Sequence, residues 1–151
     1  MNDTLIELRK RLARRHHILG WWALLLFLGL GIGLETLHGF KIGFYLDPAQ
    51  RMRRLLWTLA HAHGTLLAVV QICFALGITQ FGAWTERKLK LASFFLIDAL
   101  LLLPAGFFLG GFGHSEGDPS LGILLVPIGA AFLLLAVALI AWSATIKSDG
   151  V

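Results

Sequence analysis

Long apolar segments separated by short polar connections dominate the pattern of residues along this chain. Four segments, roughly residues 18–40, 55–82, 90–112 and 121–145, each reach the length of about 20 apolar residues that a helix needs to cross a bilayer. The strict alternation typical of a membrane β-barrel is not present, and helices satisfy all their backbone hydrogen bonds within lipid. The pattern therefore predicts an all-α membrane protein built as a bundle of four transmembrane helices.

A short basic segment precedes the first apolar segment. Within residues 2–17, Leu5, Leu8 and Leu12 recur at helical spacing between arginines and lysines, which predicts a short amphipathic N-terminal helix on the membrane surface. A solvated basic leader is the alternative. The first apolar segment is too long for a signal peptide and lacks a small-residue cleavage pattern. The predicted organisation is a cytoplasmic leader at 1–17, the helix bundle at 18–145 and a cytoplasmic tail at 146–151.

Lysine and arginine are unevenly distributed among the polar connections. Five lie in the leader, three in the connection 83–90 and one in the tail, whereas four lie in the connection 41–54 and none in 113–120. Short connections rich in Lys and Arg stay on the cytoplasmic side, so both termini are predicted to be cytoplasmic. The net charge of +4 is then explained by topology and by contact with anionic lipid. We expect no nucleic-acid partner, because no recognition motif is present.

The composition agrees with a membrane location. Hydrophobic residues make up 57% of the 151 residues, which are too few for more than one domain. The lone Cys73 lies in an apolar run, without a partner for a disulfide or a thiolate metal site. We expect the chain in a bacterial inner membrane, where its partners are the lipid bilayer and either further copies of itself or a larger membrane complex.

Most ionisable residues of the predicted spans lie near their extracytoplasmic side, where such residues are informative because a bilayer makes them costly. Histidines reach this side from three separate parts of the chain, together with carboxylates. Neutral imidazoles and carboxylates are ligands that copper, zinc and iron accept. The sequence therefore predicts a transition-metal site with these candidate ligands: Glu35, His38, His61, His63, His114 and Glu116. The alternative is that these histidines bond to headgroups, loop carbonyls and one another.

The two histidines of the second span are predicted to face different ways. His61 and His63 are two residues apart, which is about 200° around an ideal helix. His61 shares its face with Gly64, Ala68 and Gln71, a small and polar stripe suited to close packing. His63 shares its face with bulkier apolar residues. We therefore expect His61 to face inward and His63 to face a second neighbouring helix or a flat apolar cofactor.

Prolines and glycines are concentrated in the outer halves of the third and fourth predicted spans. Pro104 and Pro127 each remove a backbone hydrogen bond. The neighbouring glycines lack side-chain bulk: Gly106, Gly110, Gly111 and Gly113. Together these residues predict free space beside the histidines, in which a cofactor would fit.

One segment carries a resemblance to a known family. The sequence LLWTLAHAHGTLLAVVQICFA, with His63-Gly64 near its start, resembles the part of haem-copper oxidase subunit one that carries a low-spin haem ligand. The similarity extends from the first predicted span through the second, and the chain has far fewer helices than that family and lacks its copper ligands. The resemblance implies haem b with His63 as an axial ligand and a partner histidine from another helix. The candidate haem-binding residues are His63, His61 and His38.

Gln71 and Asp98 fall at similar depths in the second and third predicted spans. The pattern predicts an interhelical hydrogen bond that satisfies both side chains as a buried polar pair. A step in a proton path from the outer site is the alternative, although no second relay residue follows Asp98.

A protein without any cofactor is the competing prediction. It would be a non-catalytic accessory or scaffold subunit with structural histidines, and the face formed by Gly29 and Gly33 would pack on another helix. Tryptophans near the ends of the spans are predicted to be interfacial anchors: Trp21, Trp22, Trp57, Trp84 and Trp142. No catalytic motif is present, so the sequence does not decide whether the chain is an enzyme. A transporter would be expected to show repeated halves, and none stands out.

Overall fold

The computed structural model describes residues 3–112 and 118–146, and this part of the chain is helical without any strand. The helices are α1 (Asp3–Gly39), α2 (Gly43–Leu46), α3 (Arg51–Gln80), α4 (Glu86–Gly110) and α5 (Leu125–Thr145), with 3-10 turns at Pro48–Gln50 and Leu121–Leu124. Within the described residues, α1, α3, α4 and α5 are long and apolar enough to cross a membrane. The predicted all-helical class and its four candidate spans are therefore confirmed.

The four long helices pack in the order of the chain. α1 packs on α3, α3 on α4 and α4 on α5, while α1 touches α4 only briefly and does not contact α5 among the described residues. We call the end with residues 3–12 and 81–85 the leader end, and the end with residues 40–50 and 118–124 the loop end. The middle helices, α3 and α4, form the core. In α4, 44% of the residues in its most apolar 18-residue stretch are buried, against 11% in α5. Much of α5 is therefore exposed on the outside of the bundle.

The basic leader is part of the first long helix. α1 runs without a break from Asp3 to Gly39, so the separate surface helix predicted at residues 2–17 is not formed. Leu8 and Leu12 are buried in a cluster with Ile78 of α3 and Leu89 of α4. The helical spacing of the leucines was a correct signal of an apolar face. That face packs on the neighbouring helices rather than on lipid, because α3 and α4 extend far enough to receive it.

The glycines in the outer half of α4 are closely packed, which corrects the free space predicted beside them. A Cβ added to Gly106 would lie 2.8 Å from Val126 Cγ2, and one added to Gly111 would lie 2.6 Å from Trp57 Cδ1. Glycines in this region therefore allow close contact between helices instead of leaving a cavity. A groove of about 510 Å³ lies between α1 and α4 beside Pro104, with an apolar lining that includes Trp22 and Leu101. Gly113 lies outside the described residues.

Two of the five tryptophans are core residues instead of interfacial anchors. Trp57 and Trp84 are buried, whereas the other three are exposed. Trp57 stacks on Tyr45 and Phe108, and its Nε1 donates a hydrogen bond to the Phe108 carbonyl at 3.1 Å. Arg54 donates to the carbonyl oxygen of Tyr45 at 2.9 Å. These contacts fasten α2 and the following turn onto the loop end of α3 and α4.

Packing of the leader predicts a clear difference between two apolar substitutions in α1. Leu12→Ala is expected to lower the free energy of unfolding by about 3 kcal/mol, as for a leucine removed from a packed core. Ile18→Ala is the control, because Ile18 is exposed and its truncation should cost less than about 1 kcal/mol. Unfolding of both variants in mixed detergent micelles, followed by circular dichroism, measures the difference. Equal small losses would mean that the leader does not pack on the bundle.

Candidate functional site

A cluster of three buried polar side chains joins α1, α3 and α4 toward the leader end. His16 and Gln71 are completely buried, and Ser93 is 3% exposed. His16 Nδ1 bonds to Gln71 Oε1, and His16 Nε2 lies 2.8 Å from Ser93 Oγ. Gln71 Nε2 donates to the carbonyl oxygen of Leu96 at 2.8 Å. Every polar side-chain group of the cluster thus has a partner within the protein.

The amide of Gln71 determines the direction of these hydrogen bonds. Since Gln71 Nε2 donates to a carbonyl, Gln71 Oε1 is left as an acceptor and His16 Nδ1 must carry the proton. His16 Nε2 then accepts from the hydroxyl of Ser93. A neutral imidazole satisfies the whole chain, so no net charge is placed in the apolar interior, where an ionised group would be costly.

Close approach of the helices accounts for the burial of this cluster. One turn beyond His16, a Cβ added to Gly20 would lie 2.9 Å from the Ala68 carbonyl oxygen and 3.2 Å from Gln71 Cβ. The small stripe predicted on the second span is therefore confirmed as a packing face, with Gly64 and Ala68 buried. Phe74 closes the other side, with its ring edge-on to His16 at 4.7 Å.

Sequence reasoning missed His16 because it assigned this residue to a solvated or surface leader. A signal was nevertheless present, since His16 continues the four-residue spacing of Leu8 and Leu12. Residues at this spacing share one face of a helix. A histidine on the apolar face of an amphipathic segment indicates a buried polar contact, provided that the segment packs on protein rather than on lipid.

His61 faces α1, as the sequence predicts. Its Nδ1 donates to the carbonyl oxygen of Phe27 at 2.7 Å. Its ring fills the notch left by Gly31, where an added Cβ would lie 2.7 Å from His61 Nδ1. The ring of Phe27 in turn fills the notch at Gly64 of α3. The predicted inward orientation of His61 is confirmed, and its bond to a backbone oxygen gives it a structural role.

His63 faces α4, so the two histidines diverge as predicted. Its Nδ1 lies 2.9 Å from the carbonyl oxygen of Leu59 on its own helix. Its ring lies 4.8 Å from that of Phe107, so its second neighbour is an aromatic side chain of α4. The apolar groove between α1 and α4 is lined by Ala60 of α3, but no histidine lines it. His61 and His63 therefore face different helices, and haem b held by His63 and a histidine of another helix stays a prediction.

The remaining candidate ligands do not join the two histidines in the described structure. Glu35 and His38 are exposed at the loop end of α1. His114 and Glu116 lie outside the described residues, so their contribution stays a prediction. Among residues 3–112 and 118–146, no three His, Cys, Asp or Glu side chains lie close enough together to hold a metal ion.

The predicted pairing of Gln71 with Asp98 is wrong. Gln71 bonds to His16 and to the Leu96 carbonyl, and Asp98 Oδ2 is buried without a hydrogen-bond partner. The reason is helical phase. Asp98 follows Ser93 by five residues, about 140° around the helix, so it points away from α3. A similar predicted depth does not by itself bring two side chains together.

The buried cluster predicts that two adjacent histidines differ sharply in their effect on stability. His16→Ala is expected to lower the free energy of unfolding by about 3 kcal/mol, because it leaves Gln71 and Ser93 unsatisfied and opens a cavity. His17→Ala is the control, since His17 is exposed and its truncation should cost less than about 1 kcal/mol. Equilibrium unfolding in mixed micelles compares them. Equal values would contradict the described hydrogen bonds of His16.

The notch at Gly31 predicts opposite effects at two glycines of α1. Gly31→Ala should destabilise the protein by about 2 kcal/mol, because its methyl group collides with the ring of His61. Gly33→Ala meets nothing within 4 Å and should be neutral or stabilising by up to about 1 kcal/mol, since alanine favours the helix. The same unfolding assay tests both. In the double variant Gly31→Ala with His61→Ala, the two losses should be less than additive.

Comparisons with protein-family profiles, curated proteins and solved structures found no match to this chain. Its function is therefore inferred from the side chains of this molecule. These are two histidines bonded between helices, a set of outer polar residues that do not converge in the described part, and broad exposed apolar surfaces on α1 and α5.

Proposed function

We propose that this chain is a non-catalytic accessory or scaffold subunit of a membrane complex. In this proposal α1, α3, α4 and α5 cross a bacterial inner membrane, and both termini are cytoplasmic. The histidines serve to hold the helices in register. The observation that carries the proposal concerns His16 and His61. Among the described residues, these histidines form hydrogen bonds to neighbouring helices of this same chain.

The chemistry of these hydrogen bonds supports a structural role. A metal ion binds the lone pair of a neutral imidazole nitrogen. His16 Nε2 already accepts a hydrogen bond from the Ser93 hydroxyl, and His16 Nδ1 donates one to Gln71 Oε1. In His61 the nitrogen nearest to α1 is committed to the Phe27 carbonyl. Freeing His16 for a ligand would leave buried polar atoms of α3 and α4 without partners, at a substantial cost in stability.

The positions of the basic residues support the proposed orientation. Arg9 Nη2 donates to the Gly82 carbonyl oxygen at 3.0 Å, so the basic leader and the basic connection 83–90 lie at the same end of the bundle. Of the four basic residues in the connection 41–54, Arg53 and Arg54 donate to loop carbonyls. An excess of Lys and Arg at the leader end is the arrangement that keeps an end in the cytoplasm.

Exposed surface on the outer helices supports a role in assembly. Of the residues in the most apolar 18-residue stretch of each helix, only 22% are buried in α1 and 11% in α5. The face of α1 that holds Gly29 and Gly33 is uncovered, with nothing within 4 Å of a Cβ at either position. Small residues on an open helix face allow another membrane helix to approach closely. The chain therefore offers α1 and α5 to lipid and to neighbouring proteins.

Binding of a transition metal or of haem b is the competing function. It would draw on His63, on exposed Glu35 and His38, and on His114 and Glu116 outside the described residues. A site of this composition would need these side chains to meet at the loop end, since neutral imidazoles and carboxylates must surround the ion. The two functions differ in the metal and haem content that they predict for the purified protein.

An optical spectrum combined with elemental analysis separates the two functions. The protein is purified in mild detergent from cells supplied with iron, copper and zinc, and spectra are recorded in oxidised and reduced forms. We expect no Soret band and clearly less than one metal ion per chain. His61→Ala should lower stability without changing metal content, and exposed His38 provides the control His38→Ala. A Soret band that shifts on reduction and disappears in His63→Ala would overturn the proposal, as would stoichiometric metal that His38→Ala removes.

A further inference from the structure

Asp98 is an ionisable residue at mid-depth of the bundle. It is the central residue of α4, which runs from Glu86 to Gly110. An aspartate in the middle of a transmembrane helix is costly unless its carboxyl group is paired, and such residues usually serve a function. The other polar side chains buried between α1, α3 and α4, those of His16, Gln71 and Ser93, are satisfied within the chain.

Asp98 lies where the outward face of α4 borders the face that packs on α5, and its side chain is half-buried. Helical spacing places it one turn from Phe94 and Leu101, which are 54% and 56% exposed. The face toward α3 is formed instead by buried residues such as Ser93 and Leu100. Phe94 contacts Phe132 of α5, so the Asp98 face lies beside the edge of α4 that packs on α5.

The described chain offers the Asp98 carboxyl group no donor at this depth. Asp98 Oδ2 is buried and has no hydrogen-bond partner. The last basic residue of α4 before it is Lys90, two turns nearer the leader end, where it pairs with Glu86. α5, which packs beside this face, contains no ionisable residue. A half-buried carboxyl group at the edge of α4, with no cation beside it among the described residues, therefore lacks the partner that such a location favours.

We propose that the Asp98 face of α4, beside α5, binds a transmembrane helix of a partner protein that carries a lysine or arginine at mid-depth. The carboxylate and the cation would form an ion pair that is completed only in the complex. This proposal rests on the accessory role proposed above and names the chemistry of the partner. Phe94 and Leu101 would flank the pair and exclude water from it.

Charge complementarity favours such a partner over a second copy of this chain. A second copy would bring either its own Asp98, which repels a like charge, or the apolar outer surfaces of its helices. The exposed residues of α1 and α3 at this depth carry no cation: Leu26, Leu66 and Val69 are apolar, and Cys73 has only a weak, neutral thiol donor. A different helix with a basic side chain supplies the cation that the described helices of a second copy do not offer at this depth.

Defined peptides in lipid vesicles test the proposal with the full chain. The protein carries a donor dye at its amino terminus, and a polyleucine helix with one central lysine carries an acceptor dye. A peptide with leucine at the same place is the matched control. Energy transfer in vesicles is measured as the peptide-to-lipid ratio rises. We expect the lysine peptide to associate about tenfold more strongly than the leucine peptide, the scale of a polar contact between membrane helices.

Variants of the protein assign the preference to the carboxyl group. Asp98→Leu should bind both peptides equally, Asp98→Glu should keep the preference, and Leu66→Ala, on an exposed part of α3, should behave as the wild type. Equal binding of both peptides to the wild-type protein would overturn the proposal. This comparison uses the wild-type protein alone, so it does not depend on whether a variant folds. Energy transfer between two copies of the chain that is lost in Asp98→Leu would also overturn it, in favour of a homo-oligomer.

Failure of this proposal is distinguishable from failure of the accessory role. A colourless, metal-free protein that does not prefer the lysine peptide keeps its structural role and loses only the proposed partner. A coloured or metal-loaded protein loses the accessory role, whatever its behaviour toward the peptides. The two measurements use separate samples and separate signals.

Discussion

The hydrogen-bonded junction of His16, Gln71 and Ser93 is the constraint on which the arrangement of the helices depends. In a bilayer, apolar side chains alone do not drive helices together, because lipid tails are as apolar as leucine, so packing and polar contacts must do so. This junction ties α1, α3 and α4 together at a single depth. Sliding any of the three helices by one turn would separate donors from acceptors in the apolar interior. The junction therefore sets the axial register of these helices.

The register set at the junction is continued along α1 and α3 by reciprocal contacts between rings and glycines. Phe27 of α1 fills the space at Gly64 of α3, and His61 of α3 fills the space at Gly31 of α1. The bond from His61 to the Phe27 carbonyl joins the two contacts. Because each ring needs a glycine opposite it, a shift of register would produce two collisions and lose one hydrogen bond. Close packing and polar bonding thus select the same arrangement.

Sequence alone predicted the four long apolar helices and the opposite orientations of His61 and His63, because both follow from hydropathy and helical spacing. It failed wherever the answer depended on what lies across an interface. The leucine stripe of the leader was correct as a face, but its partner is protein and not lipid. The outer glycines predicted free space, but Val126 and Trp57 fill it. Gln71 and Asp98 shared a depth but not a direction, and depth is the only coordinate that hydropathy provides.

The same distinction between depth and direction separates Asp98 from the other unsatisfied polar atoms. Among the described residues, buried side-chain atoms without a partner also occur in Arg9, Gln50 and Ser143. Arg9 and Ser143 lie at the leader end beside Gly82, and Gln50 lies in the turn before α3. Water reaches the ends of a membrane bundle and can complete hydrogen bonds there, but it does not reach an apolar surface at mid-depth. Of these atoms, the carboxyl oxygen of Asp98 is the one that lies at mid-depth, where the proposed partner helix would supply the missing donor.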